Sequence, residues 1–186
     1  MGAPILTELP SFQGRVWSKF ACSNALYPGV FPSVRKFEAE IVAMAVNLLK
    51  GNEGKCVSRR GQAGKEVWRD VDPAVGLLTS GGTESILVAI HGYREKAYEQ
   101  GIDAPELICC YTAHPAVDKA CHYFGLKLVK IAQDSVTQQL PPAAVEKAIN
   151  ANTIAVYASA PTFPHGVVDP IEDLAAIVLK HRARGR

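Results

Sequence analysis

From residue 75 onward the chain changes its apolar period repeatedly, and no other feature limits its fold as much. Short apolar runs with strand character occur at Val75 to Thr79, Leu107 to Tyr111, Lys127 to Ile131 and Thr153 to Ala158. Between and after them, helical spacing is expected over Thr83 to Glu99, Pro115 to Phe124, Pro142 to Asn150 and Asp169 to Lys180. Gly101 and Gly125 stop two of these helices, and Pro115 stands in a first turn. Asp169 and Pro170 read as the cap and first position of the last helix. Strands separated by crossover helices pair in parallel, because each helix returns the chain to the same end of the sheet. The expected class is α/β, a mainly parallel sheet sandwiched by helices. On the helix from Thr83, the residues Ile86, Leu87, Ile90 and Tyr93 are expected to face inward.

Ahead of this alternation, residues 1–32 are expected to be irregular, since Pro4, Pro10, Pro28, Gly29 and Pro32 interrupt any long element. Ser33 is the expected cap of a helix whose face is Val34, Phe37, Ile41, Val42, Ala45, Leu48 and Leu49, with Gly51 as its stop. Residues 51–74 are polar and without period, and read as a surface loop or insertion. The organisation expected is an irregular segment over 1–32 and a domain over 33–186, with 52–74 as an inserted loop. No internal repeat or low-complexity segment is present.

Of the 186 residues, 48% are hydrophobic and 20% charged, an ordinary globular composition with chain enough for a sizeable core. A formal net charge of +2 is too mild to indicate a nucleic-acid partner. The basic clusters Arg59-Arg60 and His181 to Arg186 read as a solvated loop and a chain end. No apolar run reaches the ~18 residues that a membrane span needs. Met1 to Pro10 lacks the pattern of a secretory signal. The cysteines Cys22, Cys56, Cys109, Cys110 and Cys121 include no C-x-x-C, and read as reduced, buried thiols of a cytosolic protein and not as a metal site.

The stretch LLTSGGTESILVAI, Leu77 to Ile90, places Ser80, Gly81, Gly82 and Thr83 where a strand end is expected to turn into a helix. The first N–H groups of a helix lack partners inside it, and the macrodipole adds positive charge there. Glycines admit a ligand close to the backbone, and the Ser and Thr hydroxyls add hydrogen bonds, a combination that suits a phosphate. The alternative is a tight turn with Thr83 as the helix cap. From the corner alone the two readings stand level. No lysine follows the glycines, which disfavours a nucleoside triphosphatase loop, and G-x-G-x-x-G is also absent. Two further loops are expected on the same edge of the sheet. YTAHPAVDKA puts His114 between a strand and a helix, where an imidazole is able to stack on a planar ring or carry a proton. YASAPTFPHGVVDP offers Ser159, Thr162 and His165 in a loop stiffened by prolines.

Taken together, NALYPGVFPSVRKFEAEIVAM, TSGGTESILVA, AHPAVDKACHYFGLKLVKI and SAPTFPHGVVDPIEDLA resemble, in order and spacing, the sphingosine-1-phosphate lyases of the group II pyridoxal-phosphate-dependent decarboxylase family. The likeness runs from Arg15 to Lys180 and is interrupted by residues 52–74. It implies the aspartate-aminotransferase-like fold of type I pyridoxal-phosphate enzymes, here the truncated large domain, in a homodimer with active sites at the interface. It implies pyridoxal 5'-phosphate as cofactor, with its phosphate at Ser80, Gly81, Gly82 and Thr83 and its ring against His114. Ser159 and Thr162 would line that pocket, and Asn24, Tyr27 and His165 would approach the substrate. The implied reaction is a retro-aldol cleavage of a phosphorylated long-chain base, a lipid phosphate, to a fatty aldehyde and phosphoethanolamine, with the cofactor as electron sink.

The chain departs from the family pattern in two places. Tyr27 stands where members usually carry a histidine, in N-x-L-H-P, and tyrosine takes no proton at neutral pH. The chain also ends HRARGR before the family's H-V-D aspartate and its Schiff-base lysine, and Lys119, Lys127, Lys130 and Lys180 do not match that lysine. These four lysines read as solvated charges, and Asp118 and Asp169 do not replace the aspartate. The expectation is therefore a fragment that is inactive by itself and has no catalytic residue of its own. It would be cytoplasmic as read from this chain, whereas full-length eukaryotic members are often held at the endoplasmic reticulum membrane. Other readings are an amino-acid decarboxylase of the same superfamily, which PTFPHG disfavours, and a non-catalytic phosphate-binding or dimerisation remnant.

Overall fold

The computed structural model describes residues 5–51, 59–60, 66–67 and 74–183. The chain divides into two compact units, Met1–Leu78 and Thr79–Arg186.

The first unit begins with helix α1 (Ile5–Phe20), which corrects the expectation of an irregular segment over residues 1–32. Leu9, Phe12, Val16 and Phe20 recur at helical spacing, and Pro10 falls in an early turn, so the recurrence carries the helix past the proline. Helix α2 (Pro32–Leu48) starts one residue before the expected cap. Pro32 takes the first position, where its fixed φ and missing N–H cost nothing, and Ser33 lies inside the helix. The expected apolar face is not buried, since Phe37, Ile41, Leu48 and Leu49 are exposed. The helix instead packs through Val42 and Val46. A Cβ at Gly76 would sit 3.1 Å from Val42, and one at Gly51 would sit 3.2 Å from Val46, so both glycines allow a close approach.

The run Val75 to Thr79 is neither a strand nor buried, with Val75 90% exposed. No strand among the described residues pairs with it, and the Leu78 N–H is taken by the Glu38 carboxylate at 3.3 Å. Apolar composition without a ladder partner does not make a strand. Within the expected loop over 52–74, β1 (Arg59–Arg60) and β2 (Glu66–Val67) form a short antiparallel pair. Residues 52–58, 61–65 and 68–73 of that stretch lie outside the described residues.

The second unit keeps the expected alternation. It contains α3 (Gly82–Glu99), β3 (Glu106–Cys110), α4 (Ala116–Phe124), β4 (Lys127–Ile131), α5 (Pro142–Ala148), β5 (Thr153–Tyr157) and α6 (Ile171–Ala183). The three strands are parallel in the order β4-β3-β5, with Leu107 opposite Leu128 and Ala155. Gly125 closes α4 in the left-handed conformation, φ 68°. α6 starts two residues later than expected, and the Ile171 N–H donates to the backbone carbonyl of Asp169.

Alternate residues of β3 serve two separate cores, as the period of a strand dictates. Leu107 and Cys109 pack with Ile90 of α3 and Val117, Ala120 and Cys121 of α4. Ile108 and Cys110 pack on the other face with Val145 of α5 and Leu174 of α6. The sheet is therefore covered on both sides. On α3, Ile90 and Ala97 are the buried positions, whereas Tyr93, expected to face inward, is exposed. The thiols of Cys109, Cys110 and Cys121 are buried and free, but Cys22 is exposed, and Cys56 lies outside the described residues. Burial pushes the Cys109 thiol up to about 12 and the Cys121 thiol to about 11, so both stay neutral and inert. No described helix is long and apolar enough to cross a membrane.

Three of the lysines expected to be solvated are paired: Lys127 with Glu106 at 2.7 Å, Lys130 with Asp118 at 2.5 Å and Lys180 with Glu146 at 2.7 Å. Glu106, buried at the start of β3, also accepts from the Asn150 amide at 2.9 Å. The Lys127 ammonium and then that amide hold its carboxyl below the ordinary carboxylate range. A folded-state value below the unfolded one gives stability that is complete above the ordinary carboxylate range and lost as pH falls through the folded value. Glu106→Gln should lower stability at pH 7 by about 1 kcal/mol, the net worth of one such hydrogen bond. The difference from the unaltered chain should vanish in urea titrations below about pH 3. A difference that persists undiminished in acid would contradict the assignment.

Candidate functional site

The strand order itself locates a crevice. Adjacent strands β3 and β5 send their following helices to opposite faces, α4 to one core and α6 to the other. The loops leaving their carboxyl ends therefore diverge, which is where open α/β sheets bind ligands. Those loops are Tyr111 to Pro115 and Ala158 to Pro170. The start of α3 comes to the same end of the unit, since the far end of the helix lies by the amino ends of the strands, where the Arg94 guanidinium donates to the Phe124 carbonyl at 3.2 Å ahead of β4.

At the corner, Gly81 precedes the first helical residue, Gly82, and no side chain caps the helix. Thr83 is thus not the cap that the tight-turn reading requires. Nearby side chains fasten the corner from the protein side. The Ser80 N–H donates to the Glu84 carboxylate at 2.5 Å, while the Thr79 and Ser85 hydroxyls meet at 2.6 Å. These contacts with Ser80 hold the Glu84 carboxyl below its ordinary range. A Cβ built at Gly81 or Gly82 meets nothing within 4 Å. Gly81 has φ 165°, extended backbone open to any residue. The fold of this chain therefore demands neither glycine. What they leave is a bare backbone cradle at a helix N-terminus, of the kind that takes a phosphate.

His114 is half-buried, and its Nδ1 accepts the Ala116 N–H at 3.1 Å. Nδ1 therefore carries no proton, and in the neutral ring the proton is on Nε2. The Phe163 ring meets the imidazole edge to face, with centroids 5.2 Å apart and planes at 77°. Thr112, two residues before His114, is buried, and its hydroxyl has no partner among the described residues.

The loop after β5 is a small ladder. Its outer rung joins Ser159 and Asp169: the Asp169 N–H donates to the Ser159 carbonyl at 2.9 Å, and the Ser159 N–H donates to the Asp169 carboxylate at 2.8 Å. Its inner rung joins Thr162 and Val167 through the Thr162 N–H at 2.7 Å and the Val167 N–H, which donates to the Thr162 hydroxyl at 3.1 Å. Gly166, at φ 66°, lets the tip turn back in the left-handed region. Thr162 is buried and its hydroxyl serves the loop, whereas His165 is exposed. Phe163 is the tip residue that reaches His114, and sequence reasoning missed it, although the flanking Thr162 and His165 were singled out. Asp169 is not the cap of α6 that its position before Pro170 suggested. Asn24 and Tyr27 are exposed members of the first unit. The Asn24 side chain accepts the Leu26 N–H at 3.0 Å, and the Tyr27 carbonyl accepts from Val30 and Phe31. A groove of about 380 Å³ lined by Tyr93, Thr153, Ile154, Val178 and His181 contains none of the candidate residues.

No family model matches the chain. It is similar to sphingosine-1-phosphate lyase 1 of Rattus norvegicus, 41% identical over 97% of this chain and 28% of that protein. The sphingosine-1-phosphate lyase of Dictyostelium discoideum is 41% identical over 89% of this chain and 28% of its own length. Among solved structures, the sphingosine-1-phosphate lyase of Burkholderia pseudomallei K96243 aligns with a TM-score of 0.78 at 38% identity, covering 95% of this chain and 38% of that one. The glutamate decarboxylase of Lactobacillus brevis aligns with a TM-score of 0.69 at 18% identity over 99% of this chain, a likeness of fold alone. The fold is thus that of these decarboxylases and lyases, and the chain spans about 28% of the length of the curated relatives it matches.

Proposed function

We propose, from its homology to sphingosine-1-phosphate lyases, that the chain is the cofactor-phosphate portion of a pyridoxal-phosphate-dependent carbon–carbon lyase. The observation that carries this reading is the uncapped start of α3, where two glycines face open space at the end of the sheet that also holds His114. The groups present suit pyridoxal 5'-phosphate. The backbone N–H groups of Gly82 and Thr83, with the hydroxyls of Ser80 and Thr83, would hold the phosphate. His114, its Nδ1 already bonded, would lie against the flat ring, with Ser159 and the loop built on Thr162 beside it. The unpartnered hydroxyl of buried Thr112 agrees with a polar group close by.

When bound, the cofactor supplies the electron sink for breaking a carbon–carbon bond next to an amine. The substrate class would be phosphorylated long-chain sphingoid bases, cleaved to a fatty aldehyde and phosphoethanolamine. Asn24, Tyr27 and His165 would meet the substrate, with Tyr27 offering a hydroxyl where relatives offer an imidazole. The working assembly would be a homodimer. We assign the reaction as a whole to a longer protein, because the lysine and aspartate that the family uses match no residue here.

Pyridoxal phosphate titrated into the 186-residue chain and followed by absorbance should bind reversibly. Inorganic phosphate should compete with it, and borohydride should leave no lysine adduct. Absence of binding, or binding indifferent to phosphate, would sink the reading of the corner. A borohydride-stable lysine adduct would sink the claim that this chain holds the cofactor non-covalently.

A further inference from the structure

The geometry points to Asp169 as the positioning residue of the site: its buried carboxylate aims the tip of the loop after β5, and so Phe163, at His114. Asp169 is only 2% exposed. Among the described residues it makes no ion pair, and a buried carboxylate without a cation must be satisfied by hydrogen bonds. One carboxylate oxygen accepts the Leu140 N–H at 2.8 Å and the other accepts the Ser159 N–H at 2.8 Å. Leu140 is itself fully buried in the core formed by Ile108, Val145 and Leu174. The carboxylate therefore ties both ends of the loop to a fixed point of the core. The Gln139 amide adds a parallel tie, donating to the Val168 carbonyl at 2.8 Å. The inner rung at Thr162 and Val167 then leaves the tip little freedom, and Phe163 meets the imidazole at 5.2 Å. Asp169 acts through Phe163 and touches no reacting group.

The test is Asp169→Asn in the 186-residue chain. The amide keeps the volume but brings an NH2 group against one of two backbone N–H donors, so one bond is lost. The ring nitrogen and carbon shifts of His114, read by NMR, should move, while the methyl signals of Val117 and Leu107 in the opposite core stay in place. In a Phe163→Leu background the same change should leave His114 nearly unmoved, because the linking ring is gone. His114 shifts that do not respond to Asp169→Asn, or that move equally in the Phe163→Leu background, would overturn the assignment. So would core methyl signals that move as much as His114, since that is what a merely structural role gives. If Asp169→Asn does not fold, amide exchange in the unaltered chain decides. Ser159 and Leu140 should exchange as slowly as Ile108 of the middle strand β3, and fast exchange at Ser159 would overturn the clamp. Resting on the cofactor reading above, the variant should also bind pyridoxal phosphate about fivefold more weakly, the effect of having to order a released side chain on binding. If the unaltered chain binds no pyridoxal phosphate, that reading fails while the His114 signals still test the clamp.

Discussion

In Gly82→Val, pyridoxal phosphate should bind about a hundredfold more weakly while the melting temperature holds or rises. The two halves of this result have separate causes. A side chain at position 82 meets no atom of the protein, and the position lies inside a helix, so folding has nothing to lose. Valine is the better helix former by about 0.5 kcal/mol. The same side chain projects into the space in front of the first N–H groups of α3. Losing two hydrogen bonds to a charged phosphate, at about 1.5 kcal/mol each, makes about 3 kcal/mol, or two orders of magnitude. Absorbance titration and a thermal melt on the same sample read both halves. Binding that survives in a chain that melts early would show that the glycine serves the turn and not a ligand.

Ile108→Ala should destabilise the second unit by about 3 kcal/mol, from lost transfer energy and the cavity left behind. Ile108 is fully buried on the middle strand, level with Val129 on one side and Val156 on the other. Neighbours on two strands and two helices prevent the site from collapsing around a smaller side chain. Domains keep only about 5–15 kcal/mol in total, so the loss should be plain in urea unfolding. A change below about 1 kcal/mol would mean that this core relaxes, and that β3 is not the keystone its position implies.

The sequence made the second unit legible because each of its elements is bounded by a local stop. Gly125 closes α4, and Lys127 to Ile131 falls as expected as β4. The first unit was harder to read. Prolines suggested an irregular segment over residues 1–32, yet the recurrence from Leu9 to Phe20 makes α1. The run Val75 to Thr79 has the composition of a strand but not the neighbour, and pairing cannot be read from one segment alone. In the candidate site, the phosphate corner and His114 were visible because they sit in local signatures. Phe163 and Asp169 were not, since their roles depend on partners 49 and 29 positions away, His114 and Leu140. The rule that placed Asp169 as a cap, an acid before proline at a helix start, is local, and a long-range demand overrode it.

Handedness gives the three-stranded sheet a direction of growth. The β4-to-β5 crossing runs through α5 on one face and steps across β3, and α6 lies on that same face. Crossovers between parallel strands are right-handed in nearly every protein, so the same face means the same direction of travel. A parallel strand following α6 would thus be laid beside β5, on the side away from β3, over the groove that Thr153 and Ile154 border. The row of backbone donors and acceptors there is a template with one polarity already chosen. A parallel segment that completes it, from this chain or another, enters at the amino end of β5 and leaves beside the crevice that holds His114. A residue at the end of such a segment would be delivered to the site by topology alone.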